Sequence, residues 1–408
     1  MNTRTLVGGI VLLLACSADA QTLTVAGKAE LDSYLQNAIR TTHIPGMVAL
    51  VVNKDGILYE QAFGLKDVAH KQPMTTDTIF RLASMTKPLT SMGIMMLVEQ
   101  GRIDLDAPAS RYLPALAKPR VYSSFNPEDG TYKDAPARHD YTIRQLLTHT
   151  SGLGYTFTSS ILVKAMNGNP AARATQLPLL FEPGTEWHYG ESTRVLGEII
   201  EAVSGQELSA FLDAKILTPL HMDDTTYDIP AGKNSRVATV HRSDGGKLVE
   251  IPNTEGVITA AHQGDGGLSG TARDYSRFIR FYLNAGSLED SGKLIKPQTL
   301  ALMGKSGTGK VKVQTMQTTN AQLSENFPLG AGVDTYALGF QRTEAQAGPN
   351  MRSVGSLAWA GIYNTEFWID PQQKIGAVLL MQYLPFYDQA AVEVLQGFEQ
   401  RIYGNLQK

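Results

Sequence analysis

Strand-like apolar runs stand in pairs at both ends of this chain, and that arrangement restricts its architecture more than any other feature. Near the N-terminus, residues 46–52 and 57–63 flank Asn53-Lys54-Asp55-Gly56, an Asp-Gly turn that closes a hairpin. Near the C-terminus, residues 365–369 and 375–381 flank Asp370-Pro371-Gln372-Gln373, and residues 336–342 read as a further strand. Tight turns impose antiparallel pairing. Helical patterns over 29–41 and 390–403 lie outside these strands. One α/β (α+β) domain follows: an antiparallel sheet built from the N- and C-terminal segments, flanked by helices, with a largely helical subdomain inserted. The sheet part is expected over about 25–80 and 330–408, the helical part over about 85–300.

The middle supports that division. Thr142-Ile143-Arg144-Gln145 is a capping box that opens a short helix. Val195, Leu196, Ile199, Ile200 and Val203 recur at helical spacing and stop at Ser204-Gly205. Residues 274–283 form another amphipathic candidate, and 304–335 read as a long loop.

The 408 residues are 43% hydrophobic, enough for a real core, and only 18% charged, which argues against a disordered chain or a coiled coil. A formal net charge of −3 leaves no electrostatic footprint for nucleic acid or an anionic membrane. Arg4, the apolar run 6–15 and Ala18-Asp19-Ala20 make residues 1–20 an export signal, with the mature domain over 21–408. The run is too short for a stable membrane span. The expected location is the periplasm or outside the cell. The alternative is lipid anchoring through Cys16 in Leu13-Leu14-Ala15-Cys16. Cys16 is the sole cysteine, so the mature chain is expected to have no disulfide and no thiol nucleophile.

The chemistry centres on Arg81-Leu82-Ala83-Ser84-Met85-Thr86-Lys87-Pro88. Ser84 and Lys87 share a helix face. Pro88 would clash with the carbonyl four residues back inside a helix, so the helix should begin at about Ser84 and run to Gly101 as its C′ residue. Ser84 then lies at a helix N-terminus with its N–H free to meet an oxyanion. A serine hydroxyl needs a base, and Lys87 serves only if burial beside Leu82, Met85 and Leu89 keeps it partly neutral. Ser-x-x-Lys arises often by chance, and most examples are a capping serine and a solvated lysine.

The surroundings give it weight. Ser84-Met85-Thr86-Lys87, the segment Val98 to Asp106, the segment Ile143 to Leu153 and Gly266-Gly267-Leu268-Ser269 together resemble the serine β-lactamase and penicillin-binding protein superfamily over residues 30 to 400. Within it the chain looks most like class C β-lactamases and the family VIII carboxylesterases. The resemblance implies that Tyr189, in His188-Tyr189-Gly190-Glu191, stands beside Ser84 and Lys87 with a pKa lowered by the ammonium. It would act as general base and later activate water. It also implies that Trp359-Ala360-Gly361 replaces the family's Lys-Thr-Gly on the sheet edge, as in the esterase branch. Gly361 would let substrate approach, and the Ile362 N–H would pair with that of Ser84 around the oxyanion. Glu191 stands where β-lactamases have Asn. It would attract a substrate amine, or else cap the helix that begins near Ser192.

Three other patterns lead elsewhere and fail. Gly304 to Val311 lacks the Ser or Thr of a phosphate-binding loop, the eight histidines lack metal spacing, and no Gly-x-Ser-x-Gly elbow is present. His149 is expected to hold a structural hydrogen bond. The reading is therefore an exported serine hydrolase that cleaves esters or amides of small molecules or short peptides through a Ser84 acyl-enzyme, without cofactor or metal. Carboxylesterase activity leads, because loss of the lysine favours acyl groups without a carboxylate. The alternatives are a peptidase for small linear, D-residue-containing or nonribosomal peptides, a class C-like β-lactamase, and a sensor that acylates without turnover or a structural protein.

Overall fold

The computed structural model describes residues 21–166, 173–244, 247–251, 262–288 and 292–407. Residues 1–20, expected to be an export signal, lie with Cys16 outside the described residues. Eight strands form the main sheet: β1 (Gly46–Asn53), β2 (Ile57–Asp67), β3 (Gln72–Pro73), β4 (Thr335–Tyr336), β5 (Gln341–Arg342), β6 (Leu357–Gly361), β7 (Thr365–Asp370) and β8 (Ile375–Met381). Their spatial order is β4-β5-β6-β7-β8-β1-β2-β3, every neighbour antiparallel. The two ends of the chain meet at the β8–β1 join, where Leu380 faces Val48 and Val378 faces Leu50.

Every residue of β1 is buried. A strand covered on both faces reads as an unbroken apolar run rather than an alternating one, and Met47-Val48-Ala49-Leu50-Val51-Val52 is such a run. Met47, Ala49 and Val51 face the terminal helices α1 (Val25–Thr41) and α6 (Gln389–Gly404) and pack with Leu31, Leu35 and Phe398. Val48, Leu50 and Val52 face the other way, toward α5 (Ala272–Leu283) and its Tyr275, Phe278 and Ile279.

The run 336–342 is not one strand. It divides into β4 and β5 around a reversal in which Ala337 N–H donates to the Phe340 carbonyl at 2.7 Å. Gly339 makes the reversal with φ +100°, a conformation that costs glycine little. The segment 304–334 contains no helix or strand, as its composition suggests.

Three helices shape the region beside the sheet. α2 (Thr86–Glu99) is buried continuously from Thr86 to Leu97. α3 (Ile143–Leu147) opens on the reciprocal capping box of Thr142 and Gln145. α4 (Ser192–Ser204) ends at Gly205, whose left-handed φ of +74° terminates it. The Tyr275 hydroxyl donates to the Met85 carbonyl at 3.0 Å and so pins the start of α2 to α5.

A buried clamp fixes α6 to the loop before β6. Glu399, 2% exposed, accepts the Arg352 N–H and Nε at 2.8 Å each and Nη2 at 2.5 Å. The guanidinium lies 4.9 Å from the Trp368 ring centroid. Removing one partner of such a pair leaves the other charge without compensation in a low-dielectric setting. Glu399→Ala should therefore lose about 3–5 kcal/mol, read as a fall in the urea midpoint with an unchanged slope.

Candidate active site

A 3₁₀ turn, Ala83–Met85, leads into α2, so Pro88 falls in the first helical turn, where its missing N–H is harmless. Ala83 sits at φ +47°, a strained value for a residue with a Cβ. It swings Ser84 out of line with β-structure and over the cavity. Tyr189 approaches on the chain just before α4. Its hydroxyl donates to Ser84 Oγ at 2.6 Å, and Lys87 Nζ lies 3.0 Å from the same oxygen.

Lys87 is 1% exposed. The surroundings expected of Leu82, Met85 and Leu89 are apolar, but the ammonium position itself is bounded by aromatic rings, 4.8 Å from the Tyr189 centroid and 5.5 Å from that of Tyr155. Its other partner is the Asp265 carbonyl at 2.6 Å. Burial is the main force that pushes Lys87 down to about 7; the Asp265 carboxylate opposes this and the Arg194 guanidinium adds to it. A neutral amine has one lone pair and two N–H groups. It can accept the Ser84 proton while donating to the Asp265 carbonyl.

Tyr189 moves in the other direction from the sequence expectation. Burial pushes its phenol up, and the Ser84 hydrogen bond and the nearby Trp359 indole only partly offset this. The lysine expected to lower it does not: Lys87, pushed down to about 7 by its own burial, loses its proton well before the phenol would. The favoured pair is neutral lysine and intact phenol.

A cavity of about 480 Å³ opens over these groups. Tyr155, Phe157, Phe327 and Trp359 wall it, with Tyr155 and Phe157 stacked 5.3 Å apart and Trp359 5.0 Å from Tyr189. β5 pairs β6 only at Leu357 and Ala358, which leaves Trp359 to Gly361 as an open edge. Trp359, Ala360 and Ile362 line the cavity there. Gly361 has a use that sequence reasoning did not anticipate: a Cβ on it would come 2.3 Å from the Leu82 carbonyl. The missing side chain seats the sheet edge against the Ser84 turn. Among the described residues neither the Ser84 nor the Ile362 N–H is donated to a protein acceptor.

Glu191 is not a substrate anchor. It is 6% exposed, and both of its oxygens are engaged, Oε1 by Arg194 at 2.9 Å and Oε2 by Arg173 and the Ala174 N–H at 3.3 Å. It occupies the N-cap position of α4, yet its side chain makes no cap hydrogen bond. Arg194 continues to Asp265 at 3.3 Å, and Tyr155 donates to the other Asp265 oxygen. The chain of charges thus ends at the residue whose carbonyl holds Lys87. His149, neutralised by burial, accepts the Gly190 N–H at 3.4 Å and packs 4.9 Å from the Tyr189 ring, a positioning contact.

Tyr155, Asp265 and Arg194 escaped the sequence reading. Two had a signal, since Tyr155 follows the segment 143–153 and Asp265 immediately precedes Gly266-Gly267. Phe327 had none, lying in a loop without period.

The Beta-lactamase family model matches residues 31–397. Esterase EstB of Burkholderia gladioli is 29% identical over 403 residues, covering 90% of this chain and 92% of that one. Monacolin J acid methylbutanoyltransferase of Aspergillus terreus is 26% identical over 426 residues, covering 98% of this chain and 100% of its own. The unliganded selenomethionyl structure of Simvastatin Synthase (LovD) from Aspergillus terreus superposes with a TM-score of 0.80 at 26% identity, covering 93% and 99% of the two chains. With its sheet, its helical insertion and a match over nearly its whole length, the chain belongs to the β-lactamase family of serine hydrolases and acyltransferases.

Proposed function

We propose that the protein is a carboxylesterase-type hydrolase that works through an acyl-enzyme on Ser84. The observation that carries this reading is the single oxygen, Ser84 Oγ, held by both Lys87 Nζ and the Tyr189 hydroxyl at the floor of an aromatic cavity. Neutral Lys87 takes the Ser84 proton as Oγ attacks the acyl carbon. The Ser84 and Ile362 N–H groups receive the oxyanion, each worth about 3 kcal/mol. The Tyr189 phenol donates to the departing alkoxide, and the Lys87 ammonium gives the Ser84 proton to the resulting phenolate. Water then attacks the ester on Ser84 and gives a proton to Lys87; the C–Oγ bond breaks as Lys87 returns that proton to Ser84 Oγ, and the acid leaves.

The cavity chemistry supports an acyl group without a carboxylate. Its guanidinium groups among the described residues, Arg194 and Arg352, are tied to Glu191 with Asp265 and to Glu399. Esterase EstB supports the same choice by relationship. Transfer of the acyl group to an alcohol is the second reading, favoured by a cavity roomy and aromatic enough to hold an apolar acceptor and by the related methylbutanoyltransferase. The peptidase reading loses its motive, since Glu191 is not among the residues that line the cavity and its carboxylate is held by Arg173 and Arg194.

A fluorophosphonate probe should label the protein, and Ser84→Ala should abolish labelling; retained labelling would overturn the assignment of the nucleophile. Short p-nitrophenyl esters should turn over faster than nitrocefin. The pH profile follows from Lys87. The reactive form is the neutral amine, so kcat/KM should rise tenfold per pH unit below about 7 and level off above it. Lys87→Arg, which cannot release its proton, should cut kcat/KM by roughly 10²–10⁴-fold at every pH. Glu191→Gln should lower the urea midpoint while changing KM equally for amine-bearing and neutral esters, because its contacts are internal.

A further inference from the structure

The cavity does not end at Ser84. It continues past the open edge of β6 to the opposite face of the sheet, where Ala358, Ala360, Tyr387, Gln396 and Glu366 line it. Glu366 reaches this arm by register. It pairs with Ala360 and shares its face with Trp368, the face that packs on α6. The residue is 9% exposed, and among the described residues no protein donor reaches its carboxyl oxygens. A buried carboxyl without a partner is costly, so one opening onto a cavity marks a place where a ligand completes the pairing.

The charges around it define which ligand. From the loop before β6 comes Arg352, whose Nε and Nη2 donate to Glu399 on α6 and whose charge acts on Glu366 without a hydrogen bond to it. Asp334 from the long loop accepts from Gln341 Nε2 and the Glu344 N–H and has no cation bonded to it. Tyr387, from the turn before α6, accepts the Leu329 N–H. Among the described residues the cation whose charge reaches Glu366 is this Arg352, already paired with Glu399.

We propose that Glu366 is a specificity determinant that binds a primary or secondary ammonium group on the substrate, in an arm of the cavity separate from the acyl centre. This rests on the reading that the cavity is the substrate site, but it needs no turnover to be tested. Burial pushes Glu366 up to about 8, against the pull of Arg352, so in the free protein it is largely uncharged at neutral pH. An arriving ammonium converts it to the carboxylate. The carboxyl proton passes to the buffer, and the ligand keeps its own.

The test uses 3-phenylpropylamine and its uncharged counterpart 3-phenylpropan-1-ol, measured by calorimetry against the full Ser84→Ala chain in buffers of different ionisation enthalpy. The amine should bind about tenfold or more tightly than the alcohol, as expected for a charge-assisted pair. Close to one proton should be released per site at pH 6.5, and affinity should rise with pH up to about 8 and then level off. Glu366→Gln should bring the amine-to-alcohol ratio to about one and end the proton release. Equal binding of the two ligands, or binding without proton release in the chain that keeps Glu366, overturns the proposal. The two readings fail separately. Amine selectivity without Ser84 labelling removes the hydrolase assignment and leaves this site. Ser84 labelling without amine selectivity removes this site alone.

Discussion

The burial of Lys87 is the constraint on which the rest of the site depends. α2 has no wet side from Thr86 to Leu97, so a lysine at its start has no route to solvent. Its nitrogen must find partners inside, and it finds two, the Asp265 carbonyl and Ser84 Oγ. An ammonium in such a place is disfavoured by desolvation. The fold thereby holds an amine near neutrality beside a hydroxyl, at the expense of stability that a methionine or leucine would have given there.

That arrangement holds only if its neighbours are fixed. Asp265 is gripped from two sides, by Arg194 and by Tyr155, and Arg194 is held in turn by Glu191, which Arg173 also engages. A buried ion-pair network adds little net stability, but it sets geometry, because each member left alone would be an uncompensated charge. Here it fixes the carbonyl that aims Lys87. The Tyr189 ring is packed by His149, Tyr155 and Trp359, which keeps its hydroxyl on Ser84 Oγ.

The sheet contributes through its edge. β6 is paired on one side along its length and on the other only at its start, so the strand offers unpaired backbone next to the Ser84 turn. Gly361 lets the Leu82 carbonyl seat against that edge. The same open edge joins the two arms of the cavity, one beside Ser84 and one beside Glu366.

Much of this was legible in the order of residues. The hairpins at both chain ends required one sheet, because turns and two-sided apolar runs are local properties. The Ser84–Lys87 spacing placed both side chains on one helical face, since an α-helix fixes neighbours three residues apart. Local pattern failed where a glycine reversed the chain, as at Gly339, and where a charge was judged without its partners. Glu191 looked available to a substrate because Arg173 and Arg194 are brought to it only by folding. Tyr189 was expected to titrate low because an ammonium was assumed beside it, and only the depth of burial shows that the lysine is the group that yields. Sequence by itself determined which strands, helices and reactive groups this protein has. Tertiary structure alone decided their protonation and what remains free to meet a ligand, because desolvation and ion pairing depend on contacts between residues far apart along the chain.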